Sequence, residues 1–261
     1  MKAAVIPNYD KEGVKAILEE LLLKLSENNI EYIVTQKESE MKKCDFIITI
    51  GGDGTIIHAA KVCAKYSLPI LGVNAGRLGY LADITPNEFD KFSFISNNDY
   101  IIEERMLLEV TVGGKHFYCL NDAVISKGSL SRMIDIDIKV DNANISYRAD
   151  GLIASTPTGS TAYSMSAGGP VVDPSLELFI LTPICSNSLF DRPVLFNDKS
   201  VIEISVSHAK NTEAFLTIDG EKSVRIKSGD VISIKRADRV AKLMRIHKHS
   251  FYKTLSEKMR G

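Results

Sequence analysis

A carboxylate set among glycines is the part of this chain whose residue types and spacing most suggest chemistry. Asp53 lies in the run Gly51-Gly52-Asp53-Gly54-Thr55, between the apolar stretch "FIITI" and the helically spaced "GTIIHAAKVCAKY". Glycines between a strand and a helix let backbone N–H groups approach an anion, and the opening of the helix favours negative charge. Gly51, Gly52 and Gly54 fit that role. Asp53 is the odd member. Beside bound polyphosphate a carboxylate is repelled unless it holds Mg2+ or takes the proton of an attacking hydroxyl, and phosphoryl transfer uses both services. The competing reading is an Asp that hydrogen-bonds the turn or caps the helix, and the run alone leaves both open. It is not a Walker A loop, because the lysine and its hydroxyl neighbour are missing, and GxGxxG does not occur. The glycines at 72, 76 and 79 in "GVNAGRLG" have the wrong spacing for that fingerprint.

A second constellation is "RADGLIASTPTGSTAYSMSAGGPVVDP", residues 148–174. Hydroxyls at 155, 156, 158, 160, 161, 164 and 166 alternate with glycine and proline, a density that lets backbone wrap a polar ligand with many donors and acceptors. Tyr163 offers an aromatic surface for a base. The alternative is a Ser/Thr-rich surface loop, against which stand Leu152, Ile153, Ala162 and Met165. In "LNDAVIS", the amide of Asn121 beside the carboxylate of Asp122 suits paired ribose hydroxyls or an adenine edge, although in isolation an Asx turn starting a strand is the stronger reading.

These residues need elements to hold them. The first third alternates strand and helix patterns: "KAAVIP", a helix carrying Val14, Ile17, Leu18, Leu21, Leu22 and Leu25, then "EYIVTQ", "DFIITI", a second helix and "LPILGVN". That order predicts a parallel sheet with right-handed crossovers and ligands at the strand ends. After about Ile95 the period becomes two around Gly-Gly, Asp-Asn and Asp-Gly turns, which predicts antiparallel, half-exposed sheets. "MIDIDIKV" puts Ile134, Ile136 and Ile138 on one face, and "DVISIKRA" reads as the last strand. "HSFYKTLSEKMR" returns to helical spacing with Ser250 as its N-cap, and this helix is expected to pack back on the first domain.

Length and charge set the remaining bounds. At 261 residues the chain accommodates one large domain or two modest ones. A net charge of −1 gives no global pull toward nucleic acid or an anionic membrane. From residue 210 onward 13 Lys/Arg face 6 Asp/Glu, but they interleave with apolar residues and read as a solvated face. The cysteines at 44, 63, 119 and 185 show no metal spacing, and three sit among apolar neighbours. No signal pattern and no membrane-length apolar run is visible, so the expected location is the cytoplasm, with reduced thiols.

Taken together, these motifs resemble the NAD kinases over nearly the whole chain. The run at 51–55, "GVNAGRLGYLAD" at 72–83, Asn121-Asp122, "DGLIASTPTGSTAYSMSAGGP" at 150–170 and "LTPI…RPVLF" across 181–196 follow the family's order and approximate spacing. The first motif is shared with 6-phosphofructokinases and with diacylglycerol and sphingosine kinases. The long Ser/Thr segment is specific to NAD kinases. The resemblance implies an α/β N-terminal domain with a parallel, Rossmann-like sheet, a β-rich antiparallel C-terminal domain, and an active site between them. It places a phosphate-donor domain at 1–96, completed by 240–261, and an NAD-binding domain at 97–239. It also implies Mg2+ or another divalent metal with unassigned ligands, ATP as donor, NAD as acceptor, and homodimers or homotetramers in which a neighbouring subunit helps to form the NAD site. Some family members use other nucleoside triphosphates or polyphosphate.

Carried over by position, Asp53 accepts or orients the 2′-hydroxyl proton, and Gly51, Gly52, Gly54 and Thr55 line the phosphates. Asp53, Gly54, His58, Asn121, Asp122, Arg132, Arg148, Asp150, Thr161, Ala162, Tyr163 and Ser166 match the NAD site. His58 stands where the family often has arginine or another polar residue, Asn187 where histidine is usual, and Asp122 where Glu is frequent. A lipid or sugar kinase sharing the glycine turn would leave the long Ser/Thr segment without a job. A non-catalytic NAD(P) sensor would have no need of Asp53, and a generic α/β plus β scaffold would need none of these motifs.

Overall fold

The computed structural model describes residues 1–76, 79–128, 132–188, 191–207, 213–227, 229–247 and 251–259. The chain divides into two compact units, Met1–Arg105 with Arg239–Gly261, and Met106–Asp238.

In the first unit β1 (Lys2–Pro7), α1 (Val14–Glu27), β2 (Glu31–Val34), α2 (Glu38–Met41), β3 (Phe46–Gly51), α3 (Asp53–Tyr66) and β4 (Pro69–Asn74) follow in turn. The strands are parallel in the order β2-β1-β3-β4. β3 is buried at every position, which is why it reads as an unbroken apolar run rather than an alternation. Val14, Leu21 and Leu25 of α1 pack with Ala3, Val5, Phe46 and Ile48. α3 buries Ile56, Ala59, Ala60, Cys63 and Ala64, and burial pushes the Cys63 thiol up to about 12, making it an inert core residue. Strand order reverses between β1 and β3, so their carboxyl ends form the switch point where open parallel sheets bind ligands. Beyond β4, a 3-10 turn at Pro86–Phe92 opens with a reciprocal Thr85–Glu88 cap and leads through α4 (Ser93–Ser96) into β5 (Ile101–Val112). β5 carries the chain into the second unit.

There β6 (Lys115–Cys119), β7 (Asp122–Lys127), β8 (Ile134–Val140), β9 (Ala143–Ala149), β10 (Gly151–Ser155), β11 (Leu178–Ile184), β12 (Val194–Asn197), β13 (Ile202–Ser207), β14 (Ala214–Ile218) and β15 (Lys222–Ile226) pair antiparallel. α5 (Tyr163–Ser166) is a single turn between β10 and β11. One sheet runs β12-β11-β10-β7-β14-β15, and another places β13 beside β8 and β9. Along β8, Ile134, Ile136 and Ile138 are buried while Asp135, Asp137 and Lys139 face outward, as the period-two pattern predicts. Those isoleucines share a core with Leu152, Leu181, Ile202, Ile204 and Leu216, drawn from both sheets.

β16 (Val231–Arg245) departs from the sequence reading. Its first half pairs with β13 as an ordinary antiparallel strand. It then continues past Ala237, and Lys242 and Leu243 pair parallel to Pro69 and Ile70 of β4. A parallel partner so distant in sequence leaves no local turn signal, and Arg239 and Lys242 interrupt the apolar alternation. α6 (Phe251–Met259) closes the first unit, with the Phe251 ring 6.0 Å from that of Tyr80. Its expected N-cap, Ser250, lies outside the described residues.

Candidate active site

The glycine turn joins the end of β3 to the start of α3, at the switch point. The Asn8 N–H donates to the Ile50 carbonyl at 2.9 Å, and its side-chain amide donates to Thr55 Oγ1 at 3.3 Å, so the loop after β1 and the turn after β3 are tied together. Gly52 is the N-cap of α3, with no side-chain cap, and Asp53 is the first helical residue. Its carboxylate neither caps the helix nor bonds the turn. It accepts from the N–H of Tyr80 at 2.8 Å and of Leu81 at 3.1 Å, on the segment after β4.

That contact explains two glycines in opposite ways. A Cβ at Gly79 would lie 1.9 Å from Asp53 Oδ1, so only glycine lets this backbone reach the carboxylate. A Cβ at Gly54 would meet nothing within 4 Å. Gly54 is exposed, and among the described residues no neighbour demands that it lack a side chain. Open space beside exposed helix-opening backbone is what an incoming phosphate requires. A Cβ at Gly52 would lie 2.8 Å from the Lys11 ammonium, which places a cation above the turn. Burial first and the Asp53 charge second hold the Tyr80 phenol above its ordinary value, so this ring stays neutral beside the carboxylate.

In the second unit a cleft of about 490 Å3 is lined by Asn121, Asp122, Ala162, Tyr163, Thr217 and Asp219, among others. Asp219 opens the β14–β15 turn at φ 47°, and Gly220 follows at φ 68°, the pair of positive values a tight hairpin asks of Asp-Gly. Its carboxylate turns back to accept the N–H groups of Leu120, at 3.0 Å, Asn121, at 2.8 Å, and Asp122, at 3.1 Å. The start of β7 is therefore held by a residue nearly a hundred positions later. Asp122 is 5% exposed, and burial first, then the Asp219 charge, pushes its carboxyl up to about 7. Near neutral pH it both donates and accepts, which suits a sugar hydroxyl or a base edge.

The hydroxyls of the 150–170 segment divide by role. Thr156 Oγ1 donates to the Leu120 carbonyl at 2.6 Å and accepts from the Gly159 N–H at 3.1 Å. Ser160 bonds both the N–H and the carbonyl of Val172, and Ser164 pairs with Thr182 at 2.9 Å. These buried groups spend their hydrogen bonds on building the turn. Ala162 and Tyr163 are the members of the segment that reach the cleft, with Tyr163 46% exposed, whereas Thr161 and Ser166 lie on the same segment outside the lining.

Arg148 and Asp150 flank the β9–β10 corner, where Asp150 pairs with Lys127 at 2.9 Å and the Arg148 carbonyl accepts from the Asn187 N–H at 3.1 Å. Arg132 is exposed just before β8. His58 is exposed on α3, one turn beyond the glycines. The structure thus groups the residues at 51–55 with Asn8, Lys11, Tyr80 and Leu81, and groups Asn121, Asp122, Ala162 and Tyr163 with Thr217 and Asp219. The sequence reading missed Lys11, the two amides and Asp219. Asp219-Gly220 was visible there as a turn only.

A carboxylate at the mouth of a glycine turn, on a parallel α/β unit joined to an antiparallel β unit, is an arrangement that suits a phosphotransferase acting on an alcohol. The comparisons narrow the class. Residues 3–94 match the ATP-NAD kinase N-terminal domain and residues 120–246 its C-terminal domain. The NAD kinase of Caldicellulosiruptor saccharolyticus is 38% identical over 263 residues, covering 100% of both chains. An NAD kinase from Archaeoglobus fulgidus, solved in complex with ATP, superposes with a TM-score of 0.83 at 29% identity, over 100% of this chain and 99% of that one. Yeast NADH kinase, solved with NADH, shares the fold at a TM-score of 0.89 and 22% identity, over 99% of this chain and 87% of its own. The chain belongs to the NAD kinase family.

Proposed function

We propose that this chain transfers the γ-phosphoryl group of ATP to the 2′-hydroxyl of the adenosine ribose of NAD, giving NADP. The observation that carries the reading is Asp53, a half-exposed carboxylate at the opening of α3 whose backbone donors come from another segment. The bond from the 2′-oxygen to the γ-phosphorus forms as the bridge to the β-phosphate breaks. Asp53 orients the hydroxyl and takes its proton late, since a secondary alcohol is far too weak an acid to lose it beforehand. Gly51, Gly52, Gly54 and Thr55 line the donor phosphates, with the Lys11 ammonium above them. Asn121 and Asp122 hold sugar and base groups of NAD, and Ala162 and the Tyr163 ring flank the adenosine. His58, Arg132, Arg148, Asp150, Thr161 and Ser166 complete the NAD site, some of them across a subunit boundary in a homodimer or homotetramer.

Among the described residues no group of three or more His, Cys, Asp or Glu could hold a metal. The Mg2+ of the proposed reaction arrives on the nucleotide, its shell supplied mainly by phosphate oxygens and water. When bound, the ion neutralises phosphate charge. Among the described residues no helix is long and apolar enough to cross a membrane, and the place of work we propose is the cytoplasm.

The test is a product assay with Mg2+ and ATP offered NAD, NADH, fructose 6-phosphate, sphingosine and diacylglycerol in parallel. NADP from NAD is the expected product. Phosphorylation of the sugar or a lipid, with NAD untouched, overturns the assignment. So does tight NAD binding without any product.

A further inference from the structure

Behind the amides that hold Asp53 stands a buried guanidinium. Arg245, 4% exposed at the end of β16, donates through Nη1 to the Leu81 carbonyl at 2.8 Å and the Ala82 carbonyl at 3.3 Å. Its Nη2 lies 3.5 Å from the Tyr80 carbonyl, and its Nε donates to Glu103 at 2.7 Å. The segment 80–82 is in neither helix nor strand, so its buried carbonyls need donors from elsewhere. The knitting is reciprocal. Asp83 Oδ2 accepts from the N–H of Ile246 at 2.8 Å and of His247 at 3.4 Å. Arg105 pairs with the other Glu103 oxygen at 2.5 Å, so Glu103 bridges the two arginines.

The peptide between Tyr80 and Leu81 faces both ways. Its carbonyl points toward the Arg245 guanidinium and its N–H donates to Asp53. The next carbonyl, that of Leu81, makes the shortest of the three carbonyl bonds to the guanidinium. With Gly79 admitting no side chain, the stretch 79–82 is fixed on one side by the carboxylate and on the other by Arg245.

We propose that Arg245 is a positioning residue for the Asp53 carboxylate, acting through the backbone of Tyr80, Leu81 and Ala82. It rests on the reading of Asp53 given above. Arg245 touches no reacting atom. Its fork sets where the two amides stand, and the amides set the carboxylate. Lysine keeps the charge but concentrates its donors on one nitrogen, so it cannot reach the carbonyls of 80–82 and the Glu103 carboxylate at once as the separated nitrogens of the fork do.

A double-mutant cycle of Arg245→Lys with Asp53→Asn, scored as NADP formation, tests this. Arg245→Lys alone is expected to lower kcat by about tenfold to a hundredfold, the usual effect of misplacing a reacting group by roughly an ångström, with KM for NAD and ATP moving less than about threefold. In the Asp53→Asn background the same change is expected to cost less than about twofold, because residues acting through one another are non-additive. Equal losses in both backgrounds, or none in either, overturn the inference. Should Arg245→Lys fail to fold, Glu103→Gln removes the charge that orients Nε while keeping an acceptor, and the same cycle is judged by the same criteria. Asp53→Asn alone reports on the underlying assignment, so the two failures are separable: near-normal turnover there refutes the assignment, and the inference falls with it.

Discussion

Gly54 separates a residue kept for packing from one kept for a ligand. Among the described residues nothing opposes a methyl group there, and alanine in a helical first turn gains from a lower unfolded-state entropy, by about 0.4–1 kcal/mol. Gly54→Ala is therefore expected to melt no lower than the parent while losing kcat/KM for ATP. A variant that melts lower and keeps its ATP kinetics would contradict the reading. Asp122 makes the opposite trade, because its burial costs stability. With its carboxyl raised to about 7, folded and unfolded chains are both protonated below about pH 4, and the group contributes no difference. As pH climbs from about 4 to 7 the unfolded chain ionises first, so stability falls, by a few kcal/mol in all, and stays lowered above that range. Melting temperatures from pH 4 to 8 should show Asp122→Asn gaining on the parent through this window, and a constant gap would refute the shift. The chemistry of Asp53 was legible because glycines flanked it. The donors that hold it were not, since backbone N–H groups have no residue code and these lie 27 and 28 positions away.

At the scale of elements, one hairpin turn does two jobs. Asp219 shapes the β14–β15 turn and also satisfies three consecutive amides at the entry to β7. Asp219→Ala leaves those donors unpaired and is expected to cost about 1–3 kcal/mol, read by urea unfolding, together with a raised KM for NAD. Asp219→Asn keeps an acceptor and should recover most of the stability. Loss of stability with an unchanged KM would mean that the turn does not set the cleft. Local pattern revealed this hairpin, and likewise β8, because period two and Asp-Gly chemistry are near-neighbour signals. It did not reveal that Thr156, Ser160 and Ser164 turn inward, which depends on partners at Leu120, Val172 and Thr182. A hydroxyl reads the same in sequence whether it meets a ligand or a carbonyl.

At the scale of the whole molecule, the first unit is assembled from both ends of the chain, with 239–261 returning after the second unit. Met244 of the returning segment lies in the core built on β1, β3 and α1. A chain ending at Asp238 is expected to lose cooperative unfolding of the first unit while the continuous second unit, 106–238, keeps its strands. Hydrogen exchange resolved along the chain reads this directly, and protection retained throughout 1–105 would contradict it. The alternation of strand and helix, followed by period two, made the two architectures readable. The parallel pairing of β16 with β4 was hidden, because it joins residues about 170 positions apart. The central claim concerns one carboxylate and is tested most directly by the kcat of Asp53→Asn for NADP formation under saturating NAD and Mg-ATP. The account predicts a fall of about 10²–10⁴-fold with the fold and NAD affinity retained. A turnover close to that of the parent would contradict it.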